Sequence, residues 1–165
     1  DRQIEDWPVS YVGVRGDVIA IAVALGVPLP GDLLPDGRAV EGDGRPGNSI
    51  YTSPSVRYAG RGIFTGATEF TFEGRVMVGQ TVLQCRQKPG SYVAQRETLR
   101  LRQAWGVTVV CPDMLQQNQI ERVTQERDTL VPEALLVRVF EPGHVPDDFE
   151  SPLDEGRFTH LKWAF

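Results

Sequence analysis

The chain has 165 residues, enough for one domain that buries roughly 70% of its unfolded surface. With 41% hydrophobic and 24% charged residues it reads as a soluble, folded chain rather than a disordered one. A net charge of −5 argues against nucleic acid or an anionic membrane as the main partner.

Two cysteines, Cys85 and Cys111, and two histidines, His144 and His160, fall outside any zinc-ligand spacing, so no metal is expected. A Cys85–Cys111 disulfide stays open, although two free buried thiols on strands are the better reading. There is no signal peptide, and the longest apolar run, residues 18–25, is too short to cross a bilayer. A cytosolic or nuclear setting follows as the default expectation. The chain starts at Asp1 without a methionine, as a domain cut from a longer protein would.

Residues 7–14 (WPVSYVGV) have the β-branched and aromatic content of a strand, with Pro8 near its start where a missing donor is tolerated. Residues 18–25 (VIAIAVAL) suit either a strand or a helix. Asp17 as N-cap, three alanines and Gly26 just past the end favour a short buried helix. Residues 28–47, rich in proline and glycine, predict a long irregular loop of the kind that is functional or mobile.

Residues 48–58 (NSIYTSPSVRY) combine a strand end with a helix start. Tyr51 closes the strand, Ser53 is placed to cap the helix, and Pro54 suits its first position. Ser55 and Tyr58, three apart, share a helix face. Two readings stay open: half-buried packing at an αβ corner, or two aromatic rings and a hydroxyl converging on a flat, polar-edged ligand.

The rest is strand-rich. Residues 62–72 carry Phe64, Phe70 and Phe72 and lead into a turn at Glu73-Gly74. Arg75–Gln87 reads as a central strand, and Pro89-Gly90 as a type II turn. The basic cluster at 96–102 (RETLRLR) reads as a solvated edge. Residues 105–111 predict another strand. Residues 119–124 (QIERVT) predict a short one with Gln119, Glu121 and Val123 on one face. Residues 135–140 form a final core strand, 144–157 an acidic loop, and 157–165 an edge strand or a tail. The sum is an α+β domain over residues 1–165, without the βαβ alternation of a nucleotide-binding parallel sheet.

Taken in order, WPVSYVG, a helix, a glycine-rich loop, SIYTSPSVRY, a long central strand and QIERVT resemble the catalytic domain of ADP-ribosyltransferases of the poly(ADP-ribose) polymerase and diphtheria-toxin type. The wording IYTSPSVRYA, VLQCRQKPGSY and LPGDLLPDG is most similar to the small transferase domains linked to neuralized-type proteins. The resemblance implies two packed, mostly antiparallel sheets with few short helices. It also implies transfer of ADP-ribose from NAD to an acceptor, a protein by expectation, with release of nicotinamide. On this basis Tyr51 stacks on the nicotinamide, Tyr58 closes its other face, and Ser55 and the Gly13 backbone hold the carboxamide. Glu121 is the catalytic glutamate, and Gln119 engages the acceptor.

The chemistry fits the residue types: an oxocarbenium-like ribose needs an anion beside it, and stacked aromatics hold the leaving group without adding charge. The alternative for Glu121 is a surface carboxylate paired with Arg122 or Arg127. The pattern departs at Val12, where the family has histidine. An unpaired buried ribose hydroxyl costs about 1–3 kcal/mol, or about one to two decades of affinity. Arg15, three positions on, is expected on the opposite strand face and so is no substitute. This leaves three readings in play: an enzyme with an atypical site, a transferase-like binding module that has lost productive NAD binding, or a strand-rich domain unrelated to NAD.

Overall fold

A computed structural model describes residues 2–41, 48–98, 115–143 and 159–162. The expected strand at 105–111 with Cys111, residues 99–102 of the basic cluster, residues 42–47 of the long loop, His144 and the loop from it to 157 lie outside these.

The longest strand organises the rest. Arg75–Gln87 (β4 in chain order) pairs along one edge with both β1 (Val9–Val14) and β3 (Thr68–Phe72), and along the other with β7 (Leu130–Phe140). β8 (Thr159–Lys162) pairs with β7 as an edge strand. A second antiparallel sheet has the order β2 (Ile50–Thr52), β6 (Glu121–Thr124), β5 (Val93–Gln95). The architecture is α+β, with mostly antiparallel sheets and few short helices.

From Val78 to Gln87 β4 is buried or half-buried, because both faces of the sheet are covered there. On one face Val12, Val14, Leu83, Cys85 and Leu135 cluster with Ala22 of helix α2 (Ile19–Leu25, after the terminal turn α1, Arg2–Glu5). On the other, Val82 and Leu136 pack against Ala59 of α3 (Val56–Ala59). Cys85 is free and fully buried, and burial, with the charge of Glu133, pushes its thiol up to about 12. β7 begins at Leu130, earlier than expected, because a bulge accommodates Pro132. Gln84 pairs with Ala134 but Cys85 with Pro132, so Glu133 is skipped.

The β3–β4 hairpin turns where expected. Glu73 (φ 49°) and Gly74 (φ 74°) both adopt the left-handed conformation of a type I′ turn. Three expectations need correction. Residues 62–65 form a helical turn, α4 (Gly62–Thr65), and the strand starts only at Thr68; Gly66, at φ 61°, ends the turn. Asp17 does not cap α2. Val18 holds that position without a side-chain bond, because the Asp17 carboxylate pairs with Arg15 (3.2 Å) and Arg38 (3.7 Å). Gln119 is not on a strand with Glu121: Gln117–Gln119 is a 3-10 turn and Gln119 is exposed.

Candidate functional site

The edge of β1 that faces away from β4 frames the site. Tyr11 exchanges two backbone bonds there with Ser53: its N–H donates to Ser53 O (2.7 Å), and its carbonyl accepts from Ser53 N–H (2.9 Å). Backbone groups two residues apart on a strand point to the same edge, so those of Gly13 are directed there too. A cavity of about 230 Å3 opens at this edge, lined by Val12, Gly13, Val27, Tyr51, Tyr58, Phe64 and, from the long loop, Pro28, Pro30 and Val40-Glu41. Gly13 is a glycine for a packing reason. An added Cβ would lie 2.5 Å from Ala59 O and 2.6 Å from Phe64 Cβ, so α3 and α4 rest directly on the strand.

Tyr51 and Tyr58 reach the same cavity from β2 and α3. The helix between them is a single turn that starts later than the sequence suggests. Ser55, not Ser53, is the N-cap: its Oγ accepts from Tyr58 N–H (3.2 Å). Ser53 Oγ instead accepts from Ser55 N–H (3.0 Å), a local turn that delays the helix to Val56. Ser55 is 1% exposed and stands outside the cavity lining. The structure brings together Gly13, Tyr51 and Tyr58, but not the Ser55 hydroxyl.

Glu121 opens β6, opposite Gln95 of β5. Its side chain is fully buried, and the carboxylate accepts from Tyr58 Oη (2.9 Å), Gln95 Nε2 (3.2 Å) and Thr98 Oγ1 (2.9 Å). Such donors make a buried carboxylate tolerable. It is not a surface charge. The two arginines considered as its partners serve other groups. Arg122 donates to Val9 O and Ser10 Oγ (both 3.0 Å) and lies over the Tyr92 ring, and Arg127 donates to both carboxylate oxygens of Asp32 (2.9 and 2.7 Å). Burial pushes the Arg122 guanidinium down, with Tyr92 opposing.

Tyr58 is therefore the link: its ring is a cavity wall, 5.3 Å from the Phe64 centroid, while its hydroxyl holds Glu121 behind that wall. Glu121 itself does not line the cavity. Val12 lines it but is 7% exposed and belongs to the apolar cluster. Arg15 lines it as well, contrary to the expectation from strand alternation, because β1 ends at Val14 and the period of two stops there. His160 lies on β8, with β7 and β4 between it and β1.

Sequence reasoning missed a buried polar cluster that ties the two sheets beside the site. Ser10 Oγ and Thr52 Oγ1 donate to Gln87 Oε1 (2.7 and 3.0 Å), and Arg122 donates to Ser10. Gln87 Nε2 is buried without a hydrogen-bond partner. A signal existed: Ser10 alternates with Val12 and Val14 on the inward face of an otherwise apolar strand.

Among the described residues no group of three or more His, Cys, Asp or Glu is arranged to hold a metal, and no helix is long and apolar enough to cross a membrane. The chain matches no family model, no curated protein and no solved structure.

Proposed function

We propose that the chain has an ADP-ribosyltransferase-like fold and transfers ADP-ribose from NAD to a protein acceptor. The observation that carries this is the double use of Tyr58, whose ring walls a small cavity shared with Tyr51 and Gly13 while its hydroxyl holds a buried carboxylate. At about 230 Å3 the cavity falls below the ~300–1,000 Å3 of drug-sized sites, so it suits one flat ring such as nicotinamide rather than a whole dinucleotide. The Gly13 backbone, directed at that edge, supplies donor and acceptor for a carboxamide.

In the reaction the bond from ribose C1 to the nicotinamide nitrogen breaks. Nicotinamide leaves with the electron pair, and a nucleophile of the acceptor bonds to C1 and loses its proton. Glu121, behind the cavity wall, supplies the negative charge that favours the developing oxocarbenium ion through the Tyr58 hydroxyl it accepts from. Gln119, exposed in the turn that leads into β6, is the residue offered to the acceptor. A cytosolic or nuclear setting belongs to the same proposal.

A second reading, a binding module without transfer, draws on two observations. Val12 is packed in apolar surroundings where the family has histidine, and Glu121 is sealed behind Tyr58, Gln95 and Thr98. Incubation with labelled NAD and candidate protein acceptors separates the two. Label transfer that Glu121→Gln abolishes, in a variant that still melts cooperatively, supports the enzyme. No label transfer and no NAD-induced rise in melting temperature supports the module, and a rise without transfer leaves an NAD site without catalysis.

A further inference from the structure

Among the described residues, two that line the cavity carry charge, Arg15 and Glu41, and both are at its mouth. Their side chains are 52% and 81% exposed, whereas Val12 and Tyr58 deeper in are buried. Arg15 sits one residue past the end of β1 and three past Val12. Its Nη1 is 3.4 Å from Glu41 and its Nη2 3.2 Å from Asp17, whose carboxylate Arg38 shares. Glu41 is carried to the mouth by a folded part of the loop: Gly31 N–H donates to Val40 O, and Val40 N–H to Asp32 O.

We propose that Arg15 anchors the pyrophosphate of the dinucleotide, and that Glu41 is the carboxylate this pyrophosphate displaces; the inference rests on the nicotinamide reading of the cavity. A cavity that holds one ring leaves the charged middle of the dinucleotide at the opening. Arg15 is the one cation lining that opening among the described residues. Guanidinium and phosphate oxygens form paired, charge-assisted hydrogen bonds, whereas exposed ion pairs such as Arg15–Glu41 contribute little. Exchange of one anion for the other is therefore favourable. It also supplies, from the rim, affinity that Val12 cannot supply with a side-chain donor.

Calorimetric titration with nicotinamide, ADP-ribose and NAD tests this on the wild-type chain and on Arg15→Gln, Arg15→Lys and Glu41→Gln. Arg15→Gln is expected to weaken NAD and ADP-ribose about tenfold or more and to leave nicotinamide unchanged. Arg15→Lys restores part of the loss. Glu41→Gln tightens NAD and ADP-ribose about two- to fivefold. The half-exposed Arg15 side chain carries little packing, so unchanged melting temperatures should accompany these shifts. Equal loss of nicotinamide and NAD in Arg15→Gln would give Arg15 a structural role and overturn the proposal. NAD binding that Arg15→Gln leaves intact overturns the anchor alone and spares the nicotinamide cavity. A wild-type chain that binds none of the three overturns both.

Discussion

The two sides of the cavity are built to different standards. On the α3 side, Tyr58 and Glu121 are buried and bonded to each other, and Glu121 has further donors from Gln95 and Thr98. On the β1 side, the inward residue is an apolar valine, and the polar groups at the rim are exposed ion pairs. A buried polar group without partners is costly, while a surface ion pair can be exchanged at small cost. The α3 side is thus fixed whether or not a ligand is bound. The β1 side is where affinity can be tuned.

The strongest way to break this contrast is to remove the carboxylate. Glu121→Leu leaves the Tyr58 hydroxyl, the Gln95 amide and the Thr98 hydroxyl without their common acceptor. We expect a loss of about 3 kcal/mol or more in urea unfolding. A loss below about 1 kcal/mol would mean that the donors find other partners and that the α3 side is softer than argued. Val12→His probes the opposite side and should have a smaller effect, about 1–3 kcal/mol, because an imidazole must enter an apolar cluster. It sharpens the comparison through NAD titration. If tighter NAD binding accompanies the lost stability, the absent histidine is what limits the site; if affinity is unchanged, the account of Val12 is wrong.

Much of this was legible in the chain because its signals are local. Glu73-Gly74 demanded a tight hairpin, the length of β4 demanded a central strand, and Tyr51-to-Tyr58 demanded a strand-to-helix corner. Misses arose where two local solutions competed. Ser53 and Ser55 can each cap a helix, and the Ser53 hydroxyl, taken up by the Ser55 N–H, leaves the second as the cap. Phe64 suited a strand but anchors a helical turn against Tyr58. The Ser10–Thr52–Gln87–Arg122 cluster was out of reach for another reason: it joins four strands far apart in sequence, and no local pattern encodes such a meeting. The burial of Glu121 has the same origin, since Tyr58 is 63 positions away.

The smallest expected effect concerns the loop that carries Glu41. Asp32 ties that loop to the turn after β6 through Arg127, and its carboxylate also accepts from Leu29 N–H (2.8 Å). Burial pulls the Asp32 carboxyl up, but the Leu29 N–H and the Arg127 guanidinium outweigh it and hold the group below the usual carboxylate range. A carboxyl lowered on folding stabilises the folded state above its unfolded value, near pH 4, and that contribution disappears as pH falls through the folded value. Asp32→Asn should therefore lower stability by about 1 kcal/mol or less at pH 7, the range of a partly exposed pair, with the gap from wild type closing on acidification below about pH 4. Denaturant curves at pH 7 and pH 3 check the sign. A gap that persists in acid would assign the effect to the neutral hydrogen bond of Leu29 rather than to the ion pair. The same variant also tests the rim. If Asp32 sets where Glu41 stands, freeing the loop should alter NAD affinity while nicotinamide binding, which the proposal assigns to Tyr51 and Tyr58, stays as it was.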